Sequence, residues 1–306
     1  MLWEIFIMTF ARKIKKGIKW FIPYGIIIHR KQKTLGKNFQ KVHEIENYFL
    51  SLNANEIFEI VKYIKNHGFS IFPYDFCQKY NPSDIDVFFD ETNKTQYVMH
   101  EDKRLYFPEE WKTENIRSYY NGLCIEQDKD SPHRYDTEGF IVQEGDVIAD
   151  VGTAEGNWAL THVEKAGKVY LFECDRIWIK ALEKTFEPWK EKVVIVDKYV
   201  SNNNDDENVT LDSFFDKERI DFIKADIEGM EINLLEGSEK ILANNHNLKL
   251  LLCAYHSKND GKEIRKILER KGFKTEYSKG YMLFFYDKGL EKPYIRRGLV
   301  RAMKIV

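Results

Sequence analysis

Asp150, Gly152 and Gly156 lie in the stretch DVGTAEGNW, between the apolar segment VIADV and the helical pattern NWALTHVEKAG. Glycines at such a turn let the backbone approach a bound nucleotide closely, and the N-terminus of the following helix favours polar or anionic groups. The pattern of strand, glycine loop and helix therefore predicts a nucleotide site, and we expect Ala154 and Asn157 to line the same loop.

The charges of this loop indicate which nucleotide it holds. The glycine spacing is G-x-x-x-G, not the G-x-G-x-x-G of dinucleotide-binding loops. Asp150 and Glu155 would repel a pyrophosphate but suit a cationic sulfonium ligand that carries an ammonium group. Glu173 ends the next strand, where a carboxylate accepts both ribose hydroxyls. These residues predict S-adenosylmethionine rather than NAD. Asp197, after the third strand, is a candidate for the adenine amino group, with a solvated turn acid as the alternative.

A second group of candidates follows the fourth and fifth apolar segments. Asp226 and Glu228 end DFIKADI and its turn, and their i, i+2 spacing places both on one side of an extended chain. His256 ends LKLLLCAYH, and a histidine at this edge is a natural base at neutral pH. We expect these three residues to position the acceptor or to remove its proton. The alternatives are a turn role for Asp226, helix capping for Glu228 and a core or capping role for His256.

The same three side chains could offer oxygen and nitrogen ligands to Mg²⁺ or Mn²⁺. No dense cluster of ligands in the sequence requires an ion, so no metal is predicted.

The segment SPHRY, Ser131 to Tyr135, precedes the alternating part of the chain by a few residues. It can fold over the cofactor or the acceptor, and His133 and Arg134 would then contact a carboxylate, a phosphate or a sugar hydroxyl, with Tyr135 beside them. The alternative is a latch between domains that uses a turn set by Pro132.

From about residue 140, apolar segments alternate with helical patterns, which predicts a parallel, doubly wound sheet. The stretch FKTEYSKGYMLFFYD then predicts two strands joined at SKG, so that at least one strand runs antiparallel. This ending is typical of a class I methyltransferase sheet. The predicted fold is therefore α/β, a Rossmann-like class I methyltransferase sheet with a C-terminal antiparallel hairpin strand, preceded by a smaller α+β cap.

Composition limits the function classes. The chain has 306 residues, 43% of them hydrophobic, and a formal net charge of −2, which gives no overall signal for nucleic acid. Its four cysteines form no CxxC pair, which favours a reducing, cytoplasmic compartment over a zinc or disulfide scaffold. The predicted regions are a basic segment 1–34, a cap 35–135, a methyltransferase domain 136–288 and a basic tail 289–306.

The basic segment 1–34 combines short apolar runs with many lysines and arginines. Neither run reaches the ~20 residues that a bilayer span needs. A basic amphipathic segment on the inner, anionic membrane surface and a helix packed on its own domain are both consistent with this pattern. The tail IRRGLVRAMK repeats the mixture of basic and apolar residues and favours the membrane.

Residues 136–288 resemble the FkbM family of methyltransferases. The resemblance rests on DVGTAEGNWAL, on FECD, on TLDSF and on DFIKADIEGMEINLLEG, where the family motif K-x-D-x-E-G-x-E is matched by Lys224, Asp226, Glu228, Gly229 and Glu231. The family often has a proline after the ribose-binding glutamate, and this chain has Cys174. EQDKDSPHRY and CAYH resemble a branch associated with bacterial surface polysaccharides.

This resemblance implies a class I fold, S-adenosylmethionine as donor and methylation of a hydroxyl. We therefore expect an O-methyltransferase that acts on a glycan or glycolipid acceptor. A methyltransferase of a small natural product is one alternative, since FkbM-like proteins also serve such pathways. A non-catalytic binding module that retains the fold is another, although Asp150 and Glu173 are both present.

Overall fold

The computed structural model of the chain describes residues 39–51, 55–284 and 292–304. The predicted basic segment 1–34 lies outside the described residues. Within the described residues, no helix combines the length and the apolar character that crossing a membrane requires.

The cap consists of helices and a small antiparallel sheet. The spacing of apolar residues over 41–68 predicts one helix, and the structure describes two helices in this region. The small sheet has three strands in the order β1-β2-β3. The elements are α1 (Phe39–Ser51), α2 (Asn55–His67), β1 (Phe88–Asp90), β2 (Thr95–His100), β3 (Lys103–Tyr106) and α3 (Thr113–Glu126).

The rest of the described chain alternates strands and helices, as predicted. The further strands are β4 (Val147–Val151), β5 (Lys168–Phe172), β6 (Val193–Val196), β7 (Tyr199–Val200), β8 (Asn208–Val209), β9 (Phe222–Ala225), β10 (Lys249–Cys253), β11 (Phe273–Tyr277), β12 (Met282–Leu283), β13 (Ile295–Arg296) and β14 (Leu299–Lys304). The further helices are α4 (Asn157–His162), α5 (Arg176–Phe186), α6 (Leu211–Phe214), α7 (Glu231–Glu236), α8 (Glu239–Asn244) and α9 (Asp260–Arg270).

A seven-stranded sheet of order β11-β14-β10-β9-β4-β5-β6 forms the centre. β10, β9, β4, β5 and β6 are parallel to one another, and β14 runs antiparallel to both of its neighbours, β10 and β11. The predicted α/β class I methyltransferase sheet is therefore confirmed. Because the parallel strands end at one edge, the loops after β4, β5, β9 and β10 share that edge.

The predicted hairpin at SKG is wrong in its pairing. β11 pairs with β14 and not with the strand that follows it, while β12 pairs with β13 in a separate two-stranded sheet. β14 belongs to the segment predicted as a basic tail. Its apolar residues Leu299, Val300 and Ala302 are fully buried, and Arg301 donates to the carbonyl oxygen of Arg134. This burial and pairing place the segment inside the sheet, so its basic residues do not form a membrane-facing tail.

Neighbouring residues of one strand belong to different cores. Ile148 on β4 packs into a core that also contains Phe222 and, from the cap helices, Ile45 and Ile60. Ala149 faces the core on the other side of the sheet. The cap therefore shares a hydrophobic core with one face of the central sheet, which fixes its position relative to the edge where the loops meet.

Candidate active site

The glycine loop after β4 presses against the end of β9. Gly152, Ala154 and Gly156 have φ values of 71°, 49° and 81°. A Cβ atom built at Gly152 would lie 2.1 Å from the carbonyl oxygen of Asp226, a distance that no side chain could occupy. Only glycine satisfies both the left-handed backbone and this close approach. The predicted cofactor loop is thus in contact with the predicted catalytic segment.

Glu173 joins two loops through backbone amides. Its Oε2 accepts a hydrogen bond from the N–H of Ala154 at 2.8 Å, and its Oε1 accepts from the N–H groups of Cys174 and Asp175, each at 2.8 Å. A proline at position 174, which the family often carries, would lack one of these donors. A carboxylate has about four lone-pair sites, so the group retains capacity to accept a further hydroxyl.

Asp150 forms a buried ion pair that the sequence did not predict. Its Oδ1 accepts from Nζ of Lys224 at 2.8 Å, and Lys224 also donates to the carbonyl oxygen of Gly152 at 3.2 Å. Within the described residues, Oδ2 of Asp150 is buried and has no hydrogen-bond partner. Burial raises the pKa of Asp150 to about 6, although the ammonium of Lys224 opposes this rise. One oxygen therefore holds the lysine and the other remains available.

Glu155 and Asn157 lie on the buried side of the same loop. The carboxylate of Glu155 accepts from the hydroxyl of Tyr119 on α3 at 2.6 Å, and burial raises the pKa of Glu155 to about 7. Asn157 begins α4, and its Oδ1 accepts from the N–H of Trp158 at 2.6 Å. Asp197 is exposed and pairs with Arg176 at 2.8 Å, as expected for the solvated alternative.

Asp226 is the centre of a second polar group. Nε2 of His256 lies 3.2 Å from its Oδ1. The hydroxyls of Tyr255 and Tyr135 each donate to the carboxylate at 3.3 Å, and Nε2 of His133 lies 3.9 Å from Oδ2. The structure therefore brings together four predicted site residues from three separate segments, together with Tyr255.

His256 lies between two carboxylates. Its Nδ1 is 3.1 Å from Oε1 of Glu231, a residue in the first turn of α7. Burial lowers the pKa of His256, but the carboxylates of Asp226 and Glu231 outweigh it and raise the pKa well above its ordinary value. The two carboxylates therefore favour the protonated ring, in which both nitrogens carry protons. This arrangement favours an orienting role for His256 over the predicted role as a base.

Asp226 is held in its ionised form. Burial raises the pKa of Asp226, but the hydrogen bond and charge of His256, together with the charge of Lys224, hold it well below its usual range. A carboxylate of low pKa is a weak base and a strong hydrogen-bond acceptor. The chemistry that this group can perform is to orient a hydroxyl and to accept its proton late in a reaction.

Glu228 and Arg134 are placed differently from the residues of this group. Glu228 lies in the turn after β9 with φ of 55°, and its side chain is exposed. The guanidinium of Arg134 donates to the carbonyl oxygens of Asp136 at 2.8 Å and Gln127 at 2.9 Å. These hydrogen bonds fit the alternative for SPHRY, a latch between domains.

Glu231 and Cys253 were not among the predicted site residues, while the sequence offers Glu126 in EQDKD as a candidate for the SPHRY face, with a solvated loop as the alternative. Oε2 of Glu126 lies 4.0 Å from Nδ1 of His133, and burial raises the pKa of Glu126 to about 8. Sγ of Cys253 lies 3.6 Å from Nε2 of the same histidine. Burial lowers the pKa of His133 to about 4, so this imidazole is neutral. The sequence patterns that could indicate these three residues are EQDKD for Glu126, CAYH for Cys253 and the second glutamate of the K-x-D-x-E-G-x-E motif for Glu231.

A model of the methyltransferase FkbM domain matches residues 200–275. This part of the chain is similar to FkbM methyltransferases. The match spans β9, α7 and β10, and so contains Lys224, Asp226, Glu231 and Cys253. It confirms the predicted resemblance to the family.

Solved structures with a related fold include the FkbM methyltransferase from Methylobacillus flagellatus KT, with 16% identity, a TM-score of 0.45 and coverage of 62% of this chain. The chain spans about half the length of that protein, 52%. Precorrin-6y C5,15-methyltransferase from Geobacter metallireducens GS-15 has 13% identity, a TM-score of 0.38 and coverage of 54% of this chain and 82% of its own. A Streptococcus mutans protein in complex with SAH has 14% identity, a TM-score of 0.37 and coverage of 54% and 92%. No curated protein matches the chain in a sequence search.

Proposed function

We propose that the protein transfers the methyl group of S-adenosylmethionine to a hydroxyl of a saccharide, in the assembly of a cell-surface polysaccharide or glycolipid. The observation that carries this proposal is the contact of Gly152 with the backbone of Asp226, which joins the glycine loop to the carboxylate cluster. Methyl transfer is an in-line displacement, so donor and acceptor sites must be adjacent and fixed.

The glycine loop suits the donor. The free Oδ2 of Asp150 is an acceptor for the ammonium group of S-adenosylmethionine, and Glu173 is an acceptor for its ribose hydroxyls. The sulfonium charge would lie near the carboxyl groups of Asp150, Glu155 and Asp226 in a region that largely excludes water. Coulomb interactions are stronger in such a region. The product, S-adenosylhomocysteine, has lost the sulfonium charge and would be held less tightly.

The group around Asp226 suits a neutral polyol. Its carboxylate, the phenol hydroxyls of Tyr135 and Tyr255 and the imidazolium of His256 offer both acceptors and donors of hydrogen bonds. Asp226 would hold the acceptor hydroxyl and receive its proton as the oxygen–methyl bond forms. His256 would stabilise the carboxylate and keep it oriented.

The first experiment is titration calorimetry with S-adenosylmethionine, S-adenosylhomocysteine and NADH, followed by mass spectrometry of a panel of saccharide acceptors after incubation with methyl-labelled donor. Binding of the first two ligands and a mass increase of one methyl group on a saccharide would support the proposal. Donor binding with methylation only of small natural-product acceptors would support the alternative enzyme. Binding of none of the three ligands would favour a non-catalytic module.

We also propose that segment 1–34 contacts an anionic membrane surface at the cytoplasmic face. The support is the sequence alone, in which Lys13, Lys15, Lys16 and Lys19 accompany short apolar runs. The full chain should cosediment with vesicles that contain phosphatidylserine and not with neutral vesicles. Replacement of these lysines by glutamate should abolish the cosedimentation, and retained binding would overturn this proposal.

A further inference from the structure

Three side chains of different chemistry meet beside the proposed acceptor position. Sγ of Cys253 lies 3.6 Å from Nε2 of His133, and this nitrogen lies 3.9 Å from Oδ2 of Asp226. The three atoms all lie within 4.8 Å of one another. His133 and Cys253 are buried and Asp226 is mostly buried, so these atoms face each other with little access for bulk water.

The separations can be compared with those of a tetrahedral zinc site. Zinc bonds are about 2.3 Å to sulfur and about 2.0–2.2 Å to nitrogen and oxygen, so the nitrogen–sulfur edge is ~3.6 Å and the nitrogen–oxygen edge ~3.3–3.5 Å. The first edge agrees with the observed 3.6 Å, and the second is shorter than the observed 3.9 Å by about half an ångström. A small rotation of the Asp226 or His133 side chain would close that difference.

We propose that His133, Asp226 and Cys253 bind a zinc ion that retains one open coordination position. The donor set of nitrogen, oxygen and sulfur favours zinc, because Mg²⁺ and Ca²⁺ avoid thiolates. Three protein ligands with an open fourth position are typical of catalytic zinc. The thiol of Cys253 gives up its proton when the metal binds.

The other nitrogen of His133 supports this assignment. Nδ1 is buried, lacks a hydrogen-bond partner within the described residues and lies 4.0 Å from Oε2 of Glu126. Histidine ligands commonly present their second ring nitrogen to a carboxylate, which fixes the tautomer and the orientation of the ring. A shift of about 1 Å would bring Oε2 of Glu126 within hydrogen-bond distance of Nδ1.

Asp226 can serve the metal and His256 at the same time, because each uses a different oxygen. Oδ1 faces His256, while Oδ2 faces His133. The group of Asp226, Glu231 and His256 is a less suitable metal site, since the two ring nitrogens of His256 face different carboxylates. A metal could take only one of these nitrogens and would break one ion pair.

The role of this zinc rests on the proposed methyl transfer. At its open position the ion would bind the acceptor oxygen and lower the pKa of the hydroxyl. The hydroxyl proton would then pass to the weakly basic Asp226 as the oxygen–methyl bond forms and the sulfur–methyl bond breaks. The binding of zinc as such does not depend on that role and can be measured separately.

The test uses the full chain purified without chelator. Elemental analysis should find one zinc per chain, and cobalt added to the metal-free protein should give a near-ultraviolet thiolate-to-cobalt charge-transfer band. Cys253→Ser should lose this band and weaken zinc binding by at least ~10-fold, as measured by competition with a chromophoric chelator. Cys124→Ser is the matched control, because Cys124 on α3 is half-buried and is not one of the three ligands; it should retain both properties.

Zinc at background level in the wild type, or a charge-transfer band that persists in Cys253→Ser, would overturn the metal site. Circular dichroism establishes whether Cys253→Ser folds, and Asp226→Asn provides a second variant that keeps the thiol. Calorimetry with S-adenosylmethionine on the same samples separates the two proposals. If the protein binds S-adenosylmethionine but no zinc, the zinc proposal is wrong and the proposed methyl transfer stands. If it binds zinc but no S-adenosylmethionine, the proposed methyl transfer is wrong and the zinc site stands.

Discussion

The two halves of the candidate site, which we call the donor half and the acceptor half after the proposed function, are built in different ways. In the donor half, Gly152, Ala154 and Gly156 set the loop by backbone conformation. Glu173 accepts from the N–H of Ala154 in this loop and from two N–H groups of its own loop, each at 2.8 Å. In the acceptor half, side chains from α3, SPHRY, β9, α7 and β10 surround Asp226. The first half is a local motif, and the second exists only after the sheet has formed.

Because the halves are built differently, we expect mutations to change turnover and donor binding separately. The largest effect on turnover is expected at Asp226. Asp226→Asn removes the acceptor carboxylate and should lower kcat about 100-fold or more. The dissociation constant for S-adenosylmethionine should change by much less, because the glycine loop is unaltered. Initial rates and calorimetry on the same protein measure both.

Glu228→Gln is the matched control, since this exposed carboxylate lies two residues away on the same turn. Its kcat should remain within about twofold of the wild type, as for most surface changes. A loss in Glu228→Gln as large as in Asp226→Asn would show that the turn, and not the cluster, carries the chemistry.

Gly152→Ala should affect both halves at once, because Gly152 is where the glycine loop contacts the backbone of Asp226. The added Cβ would lie 2.1 Å from the carbonyl oxygen of Asp226 and would force a left-handed backbone on alanine. The combined strain and overpacking should reduce the free energy of unfolding by about 2–5 kcal/mol and abolish donor binding. Chemical denaturation and calorimetry provide the measurements.

Gly139→Ala controls for backbone conformation alone, because Gly139 has φ of 77° with no atom within 4 Å of the built Cβ. It should cost about 1–2 kcal/mol and leave donor binding intact. If Gly139→Ala and Gly152→Ala lost stability and donor affinity equally, the contact of Gly152 with Asp226 would have no special importance.

The sequence predicted the donor half because its information is contiguous. The strand, the glycine loop and the first turn of the helix all lie within a few residues of Asp150. The structure places Gly152, Gly156 and Glu173 on the loops that the pattern predicts. What it missed there was the partner of Asp150. Lys224 lies 74 residues away and reaches Asp150 only because β9 pairs with β4.

The acceptor half could not be derived in the same way. His256 was correctly placed at the edge of the sheet, but its protonation depends on Glu231, which reaches it from the next helix. The position of β14 has a similar cause, since a basic segment becomes an inner strand once carbonyl oxygens of Arg134 and Tyr135 accept from Arg301. Such partners depend on topology, and local patterns do not contain them.

Glu155 belongs to the glycine loop of the donor half, but its carboxylate accepts a hydrogen bond from Tyr119 of α3, a helix that also contributes to the acceptor half. Burial raises its folded pKa to about 7 from an ordinary value of 4.5. An acid with a raised folded pKa destabilises the fold once it must ionise. This cost should therefore develop as pH rises from about 4.5 to 7 and reach about 3 kcal/mol above that range.

Glu155→Gln should remove this cost, so its stability relative to the wild type should increase across the same pH interval and be constant on either side. Urea unfolding at a series of pH values measures the difference. Glu144→Gln, at an exposed glutamate, should show no such trend. A pH-independent difference for Glu155→Gln would mean that Glu155 is already ionised in the folded protein below pH 7.

The smallest expected effect compares two acids on the donor side. Glu173→Gln keeps the size of the side chain but loses the charge that accepts from three backbone N–H groups and, in the proposal, from ribose. Donor affinity should fall about 10-fold, as for a weakened charged hydrogen bond. Asp197→Asn should change it by less than about twofold, because Asp197 is exposed and pairs with the exposed Arg176. Calorimetry with S-adenosylmethionine distinguishes these values. If Asp197→Asn lowers affinity as much as Glu173→Gln, the third strand contributes to the nucleotide site, and Asp197 must leave Arg176 to bind adenine as the sequence first indicated.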